Sequence, residues 1–133
     1  MLQRDYFIRL IEEFQAALAR LLHVRQDDKR DDMIRDLYRQ YVGNYDDLRN
    51  LTVDEMMIYG KEQWREDQRV ERLNFLAELL YAEAAYKTNP LRGMLMDKAF
   101  KLFSYVDSHS GVMSLDRRQK MKKISREIGS AKA

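Results

Sequence analysis

Apolar side chains return every three or four positions along nearly the whole chain, which is the spacing of amphipathic helices. The first apolar stripe, Tyr6 to Leu22, predicts a helix from Gln3 to about Arg25. Later stripes predict five more helices, while the stretch from Tyr45 to Leu51 is ambiguous. We therefore expect an all-α protein of about six helices.

Capping residues and helix breakers mark where the later helices begin and end. Thr52 followed by Glu55 has the form of a capping box, and Asp67 and Ser114 can cap the starts of two further helices. Helix ends are indicated by Gly43-Asn44, by Thr88-Asn89-Pro90 and by the polar turn Ser108-His109-Ser110-Gly111.

The short turns between these helices favour antiparallel hairpins in a single domain over residues 1–128, with residues 129–133 as a frayed tail. No low-complexity linker separates a second domain. The expected architecture is either a tetratricopeptide-like stack of hairpins or an irregular helical bundle.

Two segments carry a resemblance to known families. Residues 77–111 resemble a degenerate tetratricopeptide-type helical pair, with Leu79-Leu80 at its Leu-Gly step and Ala99 and Phe103 in the Ala-x-x-x-Phe pattern of its second helix. The opening from Arg4 to Phe14 resembles the start of a family of small bacterial helical proteins that has no known activity. The resemblance implies a helical fold and leaves the function open.

Composition narrows the class of protein further. The 133 residues are 45% hydrophobic, enough for one sizeable core, and contain no Cys. The 24 basic and 22 acidic residues nearly balance, but residues 90–133 carry ten basic and four acidic side chains. No signal peptide or membrane span is apparent, so the sequence predicts a cytoplasmic protein.

Candidate sites for metals and catalysis have simpler explanations. Acidic side chains at the start of the second helix are stabilised by the helix dipole, and no nearby His or Glu completes a set of metal ligands. His23 and His109 lack partners for zinc, and the Asp107-x-His109-x-Gly111 sequence has Arg118 where a calcium loop requires Glu. We therefore expect no metal, no cofactor and no catalytic centre. The acidic side chains are Asp27, Asp28, Asp31 and Asp32.

The predicted C-terminal helix, residues 115–128, carries six basic side chains that can engage phosphates. They lie on nearly every side of the helix, and no aromatic residue between them offers a stacking surface for bases. A solvated helix face is therefore favoured, and a nucleic-acid-associated regulatory protein stays open as the alternative. The six residues are Arg117, Arg118, Lys120, Lys122, Lys123 and Arg126.

Aromatic and methionine side chains near the middle of the chain suit a binding groove, because they combine apolar area with a polar tip or a flexible sulfur atom. The leading hypothesis is a non-catalytic adaptor that docks a peptide, a partner protein or a second copy of itself. Its predicted groove is lined by Tyr38, Tyr41, Met57, Tyr59 and Trp64.

Overall fold

Seven helices and no strand make up the described part of the chain, which in this computed structural model is the backbone of residues 2–132 and the side chains of residues 5–129. The all-α prediction is confirmed, and one helix is added to the predicted six. The helices are α1 (Leu2–Leu21), α2 (Asp27–Tyr41), α3 (Tyr45–Leu48), α4 (Val53–Gln63), α5 (Glu66–Ala84), α6 (Leu91–His109) and α7 (Leu115–Lys132).

The added helix, α3, is a single turn inside the stretch whose pattern is ambiguous. Its first turn is stabilised locally, because the Asn44 side chain accepts a hydrogen bond of 3.1 Å from the Asp47 backbone N–H. Four residues are too short to show a helical repeat of apolar positions, so periodicity could not reveal this element.

Three of the predicted helix boundaries are confirmed by the geometry at the helix ends. The Thr52 and Glu55 side chains form a capping box, with bonds of 3.2 and 2.9 Å to each other's backbone N–H. The Ser114 hydroxyl accepts a 3.1 Å bond from the backbone N–H of Arg117. Gly43 follows α2 with φ of +151°, a conformation that side chains disfavour.

Four predicted boundaries are wrong by a few residues. α5 ends at Ala84, before the predicted stop at Thr88. α1 ends at Leu21 and not near Arg25. α5 starts at Glu66 with Arg65 in the cap position, so Asp67 lies in the first turn, where the helix dipole still favours its charge. α7 continues to Lys132, beyond the predicted end at residue 128, and Ala133 lies outside the described residues.

Helix α5 is the central helix of the fold. Ten of its residues are buried, and the charged side chains of Glu78 and Glu83 are among them. α2 runs antiparallel to α5, because the Tyr41 carbonyl at its end accepts a 2.7 Å bond from Arg72, while Asp31 near its start accepts bonds from Tyr86 and Lys87. α6 returns along α5 after the turn at Pro90.

Helices α1 and α7 both run in the same direction as α5. Phe14 of α1 stacks on Phe75 at 4.3 Å between ring centroids, and the later Leu22 adjoins Ala82 beyond it. On the other side of α5, Lys120 of α7 binds Glu78. Two turns later in α7, Glu127 binds Arg92, which also donates to the Ala84 carbonyl at the end of α5. The two helices thus flank α5 without closing over it.

None of the helices in the described part of the chain combines the length and the apolar composition that crossing a bilayer requires.

Candidate functional site

A groove of about 370 Å³ lies along α5 between α1 and α7. It exists because these helices flank α5 from two sides and leave Glu71 and Asn74 half-buried between them, while Phe75 and Glu78 are buried. Four residues of α5, spaced three or four apart, form its floor, six residues in and just after α1 form one wall, and two residues of α7 form the other. The twelve are Glu71, Asn74, Phe75 and Glu78; Ile11, Phe14, Gln15, Leu18, Ala19 and Leu22; and Asp116 and Lys120.

The α1 wall is predominantly apolar. The Phe14 side chain is 2% exposed and fixes α1 against the core, whereas Ile11 and Leu18 are half-buried at the groove. Leu22 is 74% exposed at one end of this wall. Helices α5 and α2 thus cover only part of the apolar face of α1. The part that they leave uncovered faces the groove.

The floor is polar and contains an unsatisfied acceptor. The Asn74 side-chain oxygen, Oδ1, is buried and has no hydrogen-bond partner in the described part of the chain. Burial raises the pKa of the neighbouring Glu71 carboxyl, against the opposing effects of nearby Arg117 and of a hydrogen bond from Asn74. Buried polar atoms of this kind are rare in folded proteins.

The α7 wall carries an ion-pair network. The Lys120 ammonium lies 2.6 Å from a Glu78 carboxylate oxygen and 3.0 Å from Asp116. Burial raises the pKa of Glu78, and Lys120 opposes this shift. Three carboxyl groups therefore line the groove with one ammonium group, so the groove is negatively charged when all of them are ionised.

Exposed apolar side chains also lie in the turn before α7 and at the first residue of α7. Val112, Met113 and Leu115 are 73%, 60% and 66% exposed, and Leu115 immediately precedes the groove residue Asp116. Large exposed apolar side chains close together are typical of interaction surfaces more than of solvent-facing turns.

The five residues predicted to line a binding groove lie elsewhere. Tyr38 and Tyr41 are 0% and 5% exposed, so they belong to the core and cannot line an open groove in this structure. Both side chains lie on the side of α2 that faces α5. The periodicity of apolar residues cannot distinguish a helix side that packs on another helix from one that faces a ligand. Tyr59 and Trp64 do meet, edge to face at 5.5 Å between centroids, but both are half-buried, as is Met57.

The six basic residues of α7 divide into two groups. Arg117 is 6% exposed and binds Asp107 at 2.9 Å, Arg118 binds the same carboxylate at 3.3 Å, and Lys120 lies in the groove network. The others are exposed: Lys122, Lys123 and Arg126. Half of the predicted basic patch is therefore neutralised within the fold, and the nucleic-acid hypothesis retains three side chains.

Several of the candidate metal ligands have partners within the protein. Asp27 pairs with Arg30 at 3.1 Å, and Asp31 accepts hydrogen bonds from Tyr86 and Lys87. His109 stacks on Tyr105 at 3.9 Å. Across the described residues, no three His, Asp or Glu side chains converge as a metal site would require.

Sequence reasoning missed a buried ionic cluster between α3 and α5. The carboxylate of Glu83, 1% exposed, accepts bonds from Arg49 at 2.7 Å and from the Tyr45 hydroxyl at 2.9 Å. Burial and this carboxylate together raise the pKa of Tyr45 to about 12. The available signal was Glu83 itself, a charged residue within the apolar stripe of α5.

No protein-family model, curated protein or solved structure matches the chain.

Proposed function

We propose that the protein is a non-catalytic interaction domain that docks an α-helix of a partner protein in the groove between α1 and α7. The observation that carries this proposal is the apolar wall of the groove, where Ile11 and Leu18 are half-buried and Leu22 is 74% exposed. Apolar side chains that stay open to solvent along a groove are typical of a surface that a partner covers.

A helix fits this place better than an extended segment does. The groove is bounded on both sides by helices that lie along α5, so an added helix can pack on α5 at the usual distance of about 8–10 Å between axes. An amphipathic helix presents its apolar residues every three or four positions, which matches the spacing of Ile11, Leu18 and Leu22 along the wall.

The proposal relies on a few apolar anchors. Burying one Leu-sized side chain contributes about 1.5–3 kcal/mol, so two or three anchors against α1 and Leu115 are sufficient for a specific contact. The partner is expected to have a helix that is itself only marginally stable until it docks.

Photo-crosslinking in the native cell tests this function. A photoreactive amino acid at position 15, which lies exposed on the α1 wall, is expected to crosslink one partner protein reproducibly. The substitution Ala19→Arg fills the groove and should abolish this crosslink. Ala16→Arg places the same side chain at an exposed position of α1 outside the groove lining and should leave the crosslink intact.

Two outcomes would contradict the proposal. One is a crosslink that is equally strong in both variants, or absent in all three proteins, because the groove would then have no role in binding. The other is a dimer of the isolated protein, measured by sedimentation, that Ala19→Arg disrupts and Ala16→Arg does not. That result would place a second copy in the groove and not a different partner.

A further inference from the structure

We propose that a second surface of the protein binds the face of a lipid bilayer that carries anionic phospholipids. This surface combines three exposed basic side chains of α7 with two exposed apolar side chains in the turn before that helix. None of the five lines the groove, so the inference does not depend on the docking function. The five residues are Val112, Met113, Lys122, Lys123 and Arg126.

The periodicity of α7 places its exposed basic residues on the outer side of the helix. Leu115, Lys122 and Arg126 are seven and four positions apart, so they lie on one side, which Lys123 borders. Leu115 is 66% exposed, whereas Ile124, on the opposite side, is 1% exposed. Because a helix rises 1.5 Å per residue, the outer side extends over about 16 Å from Leu115 to Arg126.

The positive charge of this outer side is not neutralised by the acidic residues of the same helix. Asp116 pairs with Lys120 at 3.0 Å. Glu127 is bound to Arg92 at 2.7 Å, and Lys123 lies near this carboxylate without bonding to it. Among the described residues, none forms an ion pair with any of the three exposed basic side chains. These side chains are therefore available to an anionic partner.

The turn before α7 supplies the apolar part of the surface. Val112 and Met113 are 73% and 60% exposed. They precede Leu115 by three and two residues, so the chain keeps both within about 10 Å of the outer side of α7. At an anionic bilayer, the basic side chains contact lipid phosphates and carboxylates, while the apolar side chains leave water for the acyl boundary.

A nucleic acid fits this surface less well than a bilayer does. Phosphates of either partner can bind the basic side chains. However, Val112 and Met113 gain nothing from a phosphate backbone, and residues 115–129 contain no aromatic side chain that could stack on a base. Lipid contact uses both components of the surface, whereas nucleic-acid contact uses only one.

Binding of the full chain to lipid vesicles, measured by co-sedimentation, tests the charged part of the surface. Phosphatidylcholine vesicles with about 30% phosphatidylserine should bind the protein, and pure phosphatidylcholine vesicles should not. Replacing the three basic residues by Gln should lower the partition coefficient about a hundredfold, because each contributes about fivefold at an anionic surface. A control that removes three exposed basic residues elsewhere should lose less than about threefold. The control substitutions are Arg20→Gln, Arg25→Gln and Lys29→Gln.

The apolar part is tested on the turn. Val112→Gln with Met113→Gln should lower the partition coefficient about tenfold. Ile58→Gln with Met94→Gln replaces two exposed apolar side chains of α4 and α6 and should change it little. Because the chain has no Cys, Met113→Cys and Ile58→Cys can each carry a single environment-sensitive fluorophore. Anionic vesicles should shift its emission to shorter wavelength at position 113 only, and circular dichroism verifies that each variant is folded.

Several results would overturn the inference. One is no binding to anionic vesicles, and another is an equal loss in the charge control, which would make net charge the cause. A turn variant that binds as the wild type does, or no emission shift at position 113, would show that no apolar side chain enters the bilayer. Binding of a labelled DNA duplex or single-stranded RNA through the same basic residues, without vesicle binding, would assign the surface to nucleic acid.

Discussion

Two buried polar atoms carry a cost that their surroundings do not offset. In the described part of the chain, the Asn74 side-chain oxygen and the Tyr38 hydroxyl are both closed to solvent and lack a hydrogen bond. Asn74 lies in the floor of the groove, and Tyr38 is 0% exposed inside the core. Burying a polar atom without a partner costs about 1–3 kcal/mol, so each atom is a local cost of folding.

Removing the Tyr38 hydroxyl should therefore stabilise the protein. Tyr38→Phe leaves the ring in place and relieves a buried unsatisfied group, and we expect the free energy of unfolding to rise by about 1 kcal/mol. Tyr45→Phe is the matched control, because its hydroxyl donates to Glu83 at 2.9 Å, and it should lose about 1–2 kcal/mol. Urea unfolding measures both changes; a loss of stability in Tyr38→Phe would contradict this assignment.

Glu71 should reduce the stability of the unbound protein at neutral pH. Burial raises the pKa of its carboxyl in the folded state, so stability falls as the pH rises from the ordinary pKa of glutamate through the raised value. Glu71→Gln should thus be more stable than wild type by roughly 0.5–1 kcal/mol at pH 7, and equal to it at pH 3. Unfolding at both pH values tests this; a variant less stable at pH 7 would show that Glu71 has a structural role.

Among the helices, the sequence predicted the starts that depend on hydrogen bonds between neighbouring residues. The hydrogen bonds of the two predicted caps join residues only three positions apart, Thr52 with Glu55 and Ser114 with Arg117. The sequence did not predict α3, whose position depends on bonds from Tyr45 and Arg49 to Glu83, more than thirty residues away. Contacts of that separation leave no periodic pattern.

The ion pair between Arg49 and Glu83 should be the strongest link that holds α3. Arg49→Ala leaves the 1%-exposed carboxylate of Glu83 without its cation, and breaking such a buried pair costs about 3 kcal/mol or more. Arg39→Ala removes an exposed pair with Asp36 and should cost less than about 1 kcal/mol. Thermal unfolding compares the two; similar losses would mean that the Glu83 cluster is not the main support of α3.

The contact between α6 and α7 should weaken in acid. Two bonds from Arg92, of 2.7 and 2.9 Å, hold the pKa of the Glu127 carboxyl below its usual range. Its contribution is present above the ordinary pKa of glutamate and is lost as the pH falls through the lowered value.

Glu127→Gln should accordingly be less stable than wild type by roughly 0.5–1 kcal/mol at pH 7 and indistinguishable from it at pH 2. Glu62→Gln, at an exposed position of α4, serves as the control and should change little at either pH. An equal deficit of Glu127→Gln at both pH values would show that its effect does not come from the charge.

At the scale of the whole molecule, the groove depends on how far α1 and α7 stay apart around α5. The apolar stripes of the helices could be predicted from the sequence, but not which part of each stripe its neighbours would cover. We therefore predicted Tyr38 and Tyr41 as groove residues, although both are buried in the core. The pattern gave no reason to single out Leu18 or Asn74, which line the groove.

Mapping backbone amide chemical shifts on the protein, with a peptide that contains the partner helix crosslinked at position 15, locates the binding surface. We expect the largest shifts on residues 15–22 of the α1 side, 71–78 of α5 and 116–120 of α7. Shifts concentrated around Tyr59 and Trp64, or around Lys122, Lys123 and Arg126, would contradict the docking function and place binding on another face of the protein.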